Sequence, residues 1–386
     1  MRAWHLVTGE YPPAPGGVSD YTAAVAAGLA AAGDTVDVWC PGAPGLARDP
    51  AGVRVHRSRG CWSADDIRAF DEDIDATPGP RRLVIQWVPH AFGQRSMNLG
   101  FCRWVASRAR RGDQVDLMVH EPFLAFGLRE GRLNAVAAVH RVMTMRLLKA
   151  ARRVWVSVPV WARLLKPWSL GRDTTFCWLP VPSTLRVDDD EQGIEATRAR
   201  VRDGATRVVG HFGTYDRPTS DELDRLVPGL ARANSRVLLL GRGGDVFRSR
   251  LVERHPAIAD RVLATGGLPA DELSRHLRAC DLLVQPYIDG ASTRRTTLMA
   301  ALAHGIPVVT TLGHLSEPFW TGSKAIAAVP AGDHAAMSRA VAELVAHRHL
   351  RHRIGVEARA LYDSRFSLPH VISALRGYDA PAAAGI

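Results

Sequence analysis

Two adjacent arginines lie in a run of hydroxyl residues, Ser292-Thr293-Arg294-Arg295-Thr296-Thr297. Guanidinium forks match phosphate oxygens in pairs. The apolar stretch behind them, closed by Gly305, reads as a helix whose amino end adds N–H donors and partial positive charge. Together they outline a pyrophosphate site; a solvated basic turn is the plainer alternative in so arginine-rich a chain. Gly16-Gly17 sit between a strand and a helix, where glycines bring backbone N–H groups close to a ligand or simply turn the chain after Pro15. His120-Glu121 closes a strand at its carboxyl end. A histidine there holds a hydroxyl or a developing charge if it faces a cleft, and is a core residue if it does not. His90, in Trp87-Val88-Pro89-His90-Ala91-Phe92-Gly93, joins an imidazole to aromatic rings, and a packed loop would look the same. Gly241-Arg242-Gly243-Gly244 could border a nucleotide, but it lacks GxGxxG spacing and the acidic residue of a dinucleotide ribose site. Asp20 reads first as a helix N-cap; it and Asp289 could also bind a hydroxylated ligand.

Other chemistries are poorly represented. No HExxH, CxxC, GxSxG or Walker pattern occurs. Asp188-Asp189-Asp190 lies in a polar stretch and reads as a solvated acidic run, so no metal site is assigned. The five cysteines are scattered, which suits a reducing compartment.

These residues need strands and helices to bring them together. An apolar strand over 4–8, a Pro/Gly loop, an Ala-rich helix ending at Gly33 and a strand over 35–39 form a βαβ unit, the building block of parallel sheets. Strand-like runs recur at 83–88, 115–120 and 153–158. Leu179-Pro180-Val181-Pro182-Ser183 then breaks regular structure, and a polar linker is expected over 184–206. The same grammar restarts with strands at 207–212, 237–240, 262–265, 282–285 and 307–310, a helix over 270–279 and a final helix over 368–377. The expected organisation is a first domain over 1–183, a second over 207–365, and a terminal segment, 366–386, returning to the first. Two open α/β domains would face each other across a cleft at their strands' carboxyl ends, where ligands bind in such folds.

With 386 residues, 46% hydrophobic and 23% charged, the chain has globular composition, which excludes disordered and fibrous classes. No apolar run approaches the ~18 residues of a membrane span, and the opening segment does not read as a signal peptide. The expectation is a soluble, cytoplasmic protein. The net charge is +10, and all but three of the 49 basic residues are arginine. A GC-rich coding bias accounts for this, yet a basic surface still attracts phosphates, nucleic acid or anionic lipid. Arginine alternates with apolar residues over 98–111 and 141–153. A solvated helix face is preferred there to a peripheral membrane contact. No motif supports nucleic-acid binding.

Two further stretches carry a resemblance. Thr8-Gly9-Glu10-Tyr11-Pro12-Pro13 with Gly16-Gly17-Val18 resembles the amino end of retaining GT-B glycosyltransferases of family 4. Ala303-His304-Gly305-Ile306-Pro307-Val308-Val309 resembles the turn after that family's donor-binding glutamate motif. The likeness spans nearly the whole chain. It implies a GT-B fold of two Rossmann-like domains, and transfer of a sugar from a nucleotide diphosphate sugar to a hydroxyl with retained configuration. It implies no metal, because basic groups neutralise the leaving diphosphate. It places the donor on the second domain, at Arg294, Arg295, Ser292, Thr293, Thr296, Gly213, Thr214, Gly241, Arg242 and Leu268, the last in Gly266-Gly267-Leu268 where the nucleobase would meet backbone groups. His120 and Glu121 take the catalytic place, with Gly16, Gly17, Asp20 and His90 on the acceptor side; the acceptor is an unidentified glycan, lipid-linked or small molecule. The chain departs from the pattern where the family has two glutamates: those positions hold Ser292 and Ala300. The loop Gly213-Thr214-Tyr215-Asp216-Arg217 lacks the usual lysine, and Arg294 and Arg295 could replace the missing pair. These departures keep a second reading open, a degenerate binding or scaffold protein on the same fold.

Overall fold

The structure, a computed structural model, describes residues 2–42, 49–79, 81–127, 131–231 and 235–377. They fall into two units. One runs to Pro180 and takes back the chain from Leu368; the other is Val181–Ser367.

The first unit carries strands β1 Ala3–Thr8, β2 Thr35–Pro41, β3 Val53–Ser58, β4 Arg82–Trp87, β5 Gln114–Val119, β6 Arg153–Val156 and β7 Thr175–Trp178. They form one parallel sheet in the order β3-β2-β1-β4-β5-β6-β7. Parallel neighbours need crossovers, and α1 Gly17–Ala31, α2 Ala64–Asp75, α3 Leu99–Arg110, α4 Gly131–Ala150 and α5 Pro159–Leu165 lie between the strands. Covered on both faces, the central strands are buried almost throughout; every residue of β4 is.

The second unit begins with α6 Glu191–Arg202, followed by β8 Arg207–Phe212, α7 Arg217–Leu230, β9 Ser235–Leu240, α8 Gly244–Arg254, β10 Val262–Ala264, α9 Ala270–Ala279, β11 Leu282–Gln285, α10 Thr296–Ala303, β12 Val308–Leu312, β13 Ala327–Pro330, α11 His334–Ala346 and α12 Arg348–Arg365. Its sheet is parallel, in the order β10-β9-β8-β11-β12-β13. The last helix, α13 Leu368–Arg376, packs on α1 of the first unit. Gly28 permits the approach: a Cβ there would sit 2.8 Å from the Ile372 side chain.

The stretch 184–206, expected as a linker, belongs to the second unit. Its helix α6 buries Ile194, Thr197 and Val201, spaced for one face, and packs on α9. The acidic run is not simply solvated. Asp190 caps α6 by accepting Gly193 N–H at 2.9 Å, and Asp188 pairs with Arg275 at 2.7 Å while its N–H reaches Ser274 Oγ at 2.8 Å. Among the described residues no helix is long and apolar enough to cross a membrane.

Candidate functional site

In each sheet the order of strands reverses once, between β1 and β4 in the first unit and between β8 and β11 in the second. Neighbouring crossovers leave in opposite directions at such a point, so the carboxyl ends open into a crevice. At the β8/β11 crevice there is a cavity of about 200 Å³. His211, Gly213 and Thr214 line it from the end of β8, Gln285 and Tyr287 from the end of β11, and Arg294, Arg295 and Thr296 from the start of α10.

The two arginines converge on one carboxylate. Arg294 Nη2 binds Asp289 Oδ2, and Arg295 Nη2 binds Oδ1. Burial raises the Asp289 carboxyl, but the Arg295 and Arg294 guanidiniums outweigh it and hold it below the usual carboxylate value. The Arg295 guanidinium also lies 4.7 Å from the centre of the Tyr287 ring, whose hydroxyl meets Thr297 Oγ1 at 2.8 Å. The N-cap residue of α10, Arg295, makes no side-chain bond to the first turn.

Deeper in, the cavity presents acceptors. His211 Nδ1 meets Val284 O at 2.9 Å, so this nitrogen carries the proton and Nε2 the lone pair. Burial lowers its pKa to about 4 despite that bond, which keeps the ring neutral near pH 7. Gln285 Nε2 donates to Phe212 O at 2.9 Å. His211 Nε2 and Gln285 Oε1 are buried with no hydrogen-bond partner among the described residues. Orphaned buried acceptors are costly, and a ligand hydroxyl or N–H would satisfy them. The sequence reading missed both residues, although a polar side chain ending a buried parallel strand is itself a signal.

Ser292 and Thr293, expected to meet the sugar, are wholly buried and do not line the cavity. Thr293 donates its N–H at 3.0 Å and its hydroxyl at 2.5 Å to Glu317 Oε1, whose other oxygen takes Trp320 Nε1 at 2.7 Å. Burial raises the Glu317 carboxyl against those hydrogen bonds. Gly241, Arg242 and Leu268 also lie outside the cavity lining. Gly241, at φ 113, is demanded by packing: a Cβ there would sit 2.2 Å from Gly213 O.

In the first unit, His120 follows β5 directly and is buried. Its Nε2 meets Gln86 Oε1 at 2.9 Å, and its ring lies edge-on to Tyr21 with centroids 4.8 Å apart. With Gln86 Oε1 accepting, Nε2 carries the proton and Nδ1 the lone pair. Burial lowers the pKa to about 3, so His120 is neutral. Glu121 is half exposed and its Oε2 lies 3.9 Å from His90 Nδ1, an exposed pair beside the buried histidine. The turn at Gly16-Gly17 is already supplied with an anion: Glu10 Oε1 accepts Ser19 N–H at 3.1 Å, and a Cβ on Gly16 would strike that carboxylate. Asp20 is not the N-cap, because α1 begins earlier, at Gly17 with Gly16 in the cap position; Asp20 is an exposed residue of the first turn.

Known proteins share these parts. Residues 16–176 match the family described as glycosyl transferase 4-like domain, and residues 206–347 match glycosyl transferases group 1. A phosphatidyl-myo-inositol mannosyltransferase of Mycobacterium leprae is 27% identical over 303 residues, 72% of this chain and 78% of that protein. Sucrose-phosphate synthase of Thermosynechococcus elongatus superposes with a TM-score of 0.76 at 18% identity, covering 98% of both chains. Anabaena HepE in complex with UDP-glucose superposes at 0.68 and 13% identity, over 98% of this chain and 99% of that one.

Proposed function

Since this chain belongs to the family 4-like GT-B glycosyltransferases, we propose that it moves a sugar from a nucleotide diphosphate sugar to an acceptor hydroxyl with retained configuration. The observation that carries this reading is the second-unit cavity, in which Arg294, Arg295 and the uncapped amino end of α10 meet. The diphosphate would lie along those donors. As the bond to the sugar breaks, negative charge grows on the phosphate oxygens, and fixed cations stabilise it without reorganisation; the reading needs no metal. His211 Nε2 and Gln285 Oε1 would accept donor hydroxyls deeper in the cavity. In the first unit, His120 would offer its Nδ1 lone pair to a hydroxyl, while His90 and Glu121 would contact the acceptor. One relative is named for a phosphatidyl-inositol acceptor, which makes a lipid-linked or glycan hydroxyl the first acceptor class to try.

The scaffold reading has its own observation: Ser292 and Ala300, at the family's glutamate positions, are both buried, and alanine offers no side-chain hydrogen bond. A thermal-shift panel of nucleoside diphosphates and nucleotide sugars separates the two. A ligand at 100 times its dissociation constant adds ~2.7 kcal/mol of stability. The transferase reading expects a shift with one nucleotide class, followed by nucleoside diphosphate release with an acceptor. No shift with any nucleotide would favour the scaffold.

A further inference from the structure

The second unit has another cavity besides the one at the strands' carboxyl ends. A groove of about 1030 Å³ lies at the opposite edge of the same sheet, where β8, β11 and β12 begin, walled by α6 and α12. Its charges are unbalanced. Arg198 and Arg359 have their own acids, Glu195 and Asp363, each at 2.6 Å. Of the remaining four arginines, Arg202 and Arg351 face Asp281, at 3.1 Å and 4.0 Å, while Arg207 and Arg348 are not paired with it. One oxygen of Asp281 is further engaged, accepting Val208 N–H at 2.9 Å. Arg207 donates to backbone carbonyls, at 2.7 Å to Thr206 O and 3.4 Å to Val345 O. Among the described residues neither it nor Arg348 is within ion-pair distance of a carboxylate.

The deepest of the four, Arg351, is 7% exposed. Its Nη1 donates to Leu344 O at 2.5 Å and Val345 O at 2.9 Å; burial lowers its pKa, and Arg207, Arg348 and Arg202 repel it against the pull of Asp281. Arg202 Nε is buried with no partner among the described residues. The start of α12 worsens the imbalance. Its first seven residues are Arg348-His349-Leu350-Arg351-His352-Arg353-Ile354, with no acid in the first turn and no side-chain cap. Bases at the positive end of a helix dipole are unfavourable, where an acid would be favoured. Folding has thus assembled a cationic centre that an anion would relieve.

We propose that this groove is an anion site, separate from the carboxyl-end cavity, for a molecule with two or more linked phosphate groups and no nucleobase. Guanidinium forks suit phosphate oxygens. The volume exceeds what a single phosphate fills, and no tyrosine, phenylalanine or tryptophan lines the groove to stack a base. The site lies at the sheet edge remote from the proposed chemistry, so occupancy regulates or stabilises the unit rather than taking part in transfer.

The test uses the full chain carrying Arg295→Ala, so that phosphate binding at the carboxyl-end cavity is weakened throughout. Tripolyphosphate, pyrophosphate, phosphate and citrate are titrated calorimetrically at matched ionic strength. The same titrations follow in Arg207→Ser and Arg348→Ser made on that background, both at positions not fully buried. Tripolyphosphate should bind more tightly than phosphate or citrate, and each added substitution should weaken it about tenfold or more. Unaltered binding in both variants overturns the proposal, as does citrate binding equal to tripolyphosphate, which would indicate unspecific screening. Melting curves of the variants without ligand confirm that the fold is intact. If they are not folded, Arg207→Lys and Arg348→Lys replace them: the charge stays but the fork is lost, so a partial loss of affinity is expected and none contradicts the site.

Discussion

Asp289 binds both cavity arginines at once, and its effect on an anionic ligand follows from charge. A carboxylate beside the proposed diphosphate would oppose its binding, while it also holds the two guanidiniums in place. Asp289→Asn keeps the shape and removes the charge. Nucleoside diphosphate should then bind about threefold tighter or more, while the melting temperature falls because two partly buried cations lose their partner. Calorimetric titration and a melting curve read the two effects; weaker binding would mean that positioning outweighs charge. At this scale the sequence was informative about residue types and poor about exposure. Arg294, Arg295, Thr296, Gly213 and Thr214 line one cavity, since they lie in the segments that follow the neighbouring strands β8 and β11. Ser292 and Thr293 stand in the same run and are buried. Neither periodicity nor type distinguishes them from their neighbours, since it is Glu317, distant in sequence, that draws Thr293 inward. His120 shows the same limit: a strand-end histidine is legible, but its packing on Tyr21 is not.

Elements were legible where both faces are buried. β8, β11 and β4 each carry an apolar run, Val208-Val209, Leu282-Leu283-Val284 and Leu83-Val84-Ile85, with polar residues only beside it, the pattern that parallel strands under helices impose. The edge strands β3, β7 and β13 escaped, because one side lacks a covering neighbour and the run becomes mixed; β3 reads Val-Arg-Val-His-Arg-Ser. α6 escaped because its charged face dominates the composition and only a narrow stripe is buried. Loop glycines were legible as turns but not as packing. Gly241 is the clearest case, left-handed and in close approach to Gly213 O. Gly241→Ala should cost about 1–2 kcal/mol for the left-handed backbone alone, with the clash in addition. It should weaken nucleotide binding only through the displaced Gly213 loop. Denaturant unfolding checks this; a change under 0.5 kcal/mol would mean that the β8 and β9 loops are not held together as described.

For the whole molecule, several buried histidines fix the direction of pH dependence. His5, His211 and His304 have pKa values lowered to about 4, and His120 to about 3, burial being the main cause. Unfolded, each titrates near 6.5. Between these values the unfolded chain binds protons that the native chain does not, so stability falls as pH drops from about 6.5 to 4 and is unaffected by these groups above that window. Melting temperature should be level from pH 7.5 to 6.5 and decline below it. His211→Asn should make the decline shallower, and an unchanged slope would show that His211 is not buried neutral. The basic composition said only that anions are attracted; the fold gathers Arg294 and Arg295 at one cavity and six arginines along one groove. We propose that the carboxyl-end cavity of the second unit holds the diphosphate of a nucleotide through Arg294 and Arg295. Calorimetric titration of nucleoside diphosphate and bare nucleoside into wild type, Arg294→Ala and Arg295→Ala tests it directly. A charge-assisted hydrogen bond contributes ~1.5–3 kcal/mol, so each variant should lose about 10- to 150-fold in diphosphate affinity and little for the nucleoside. Full diphosphate affinity in both variants, or equal losses for the two ligands, would contradict it.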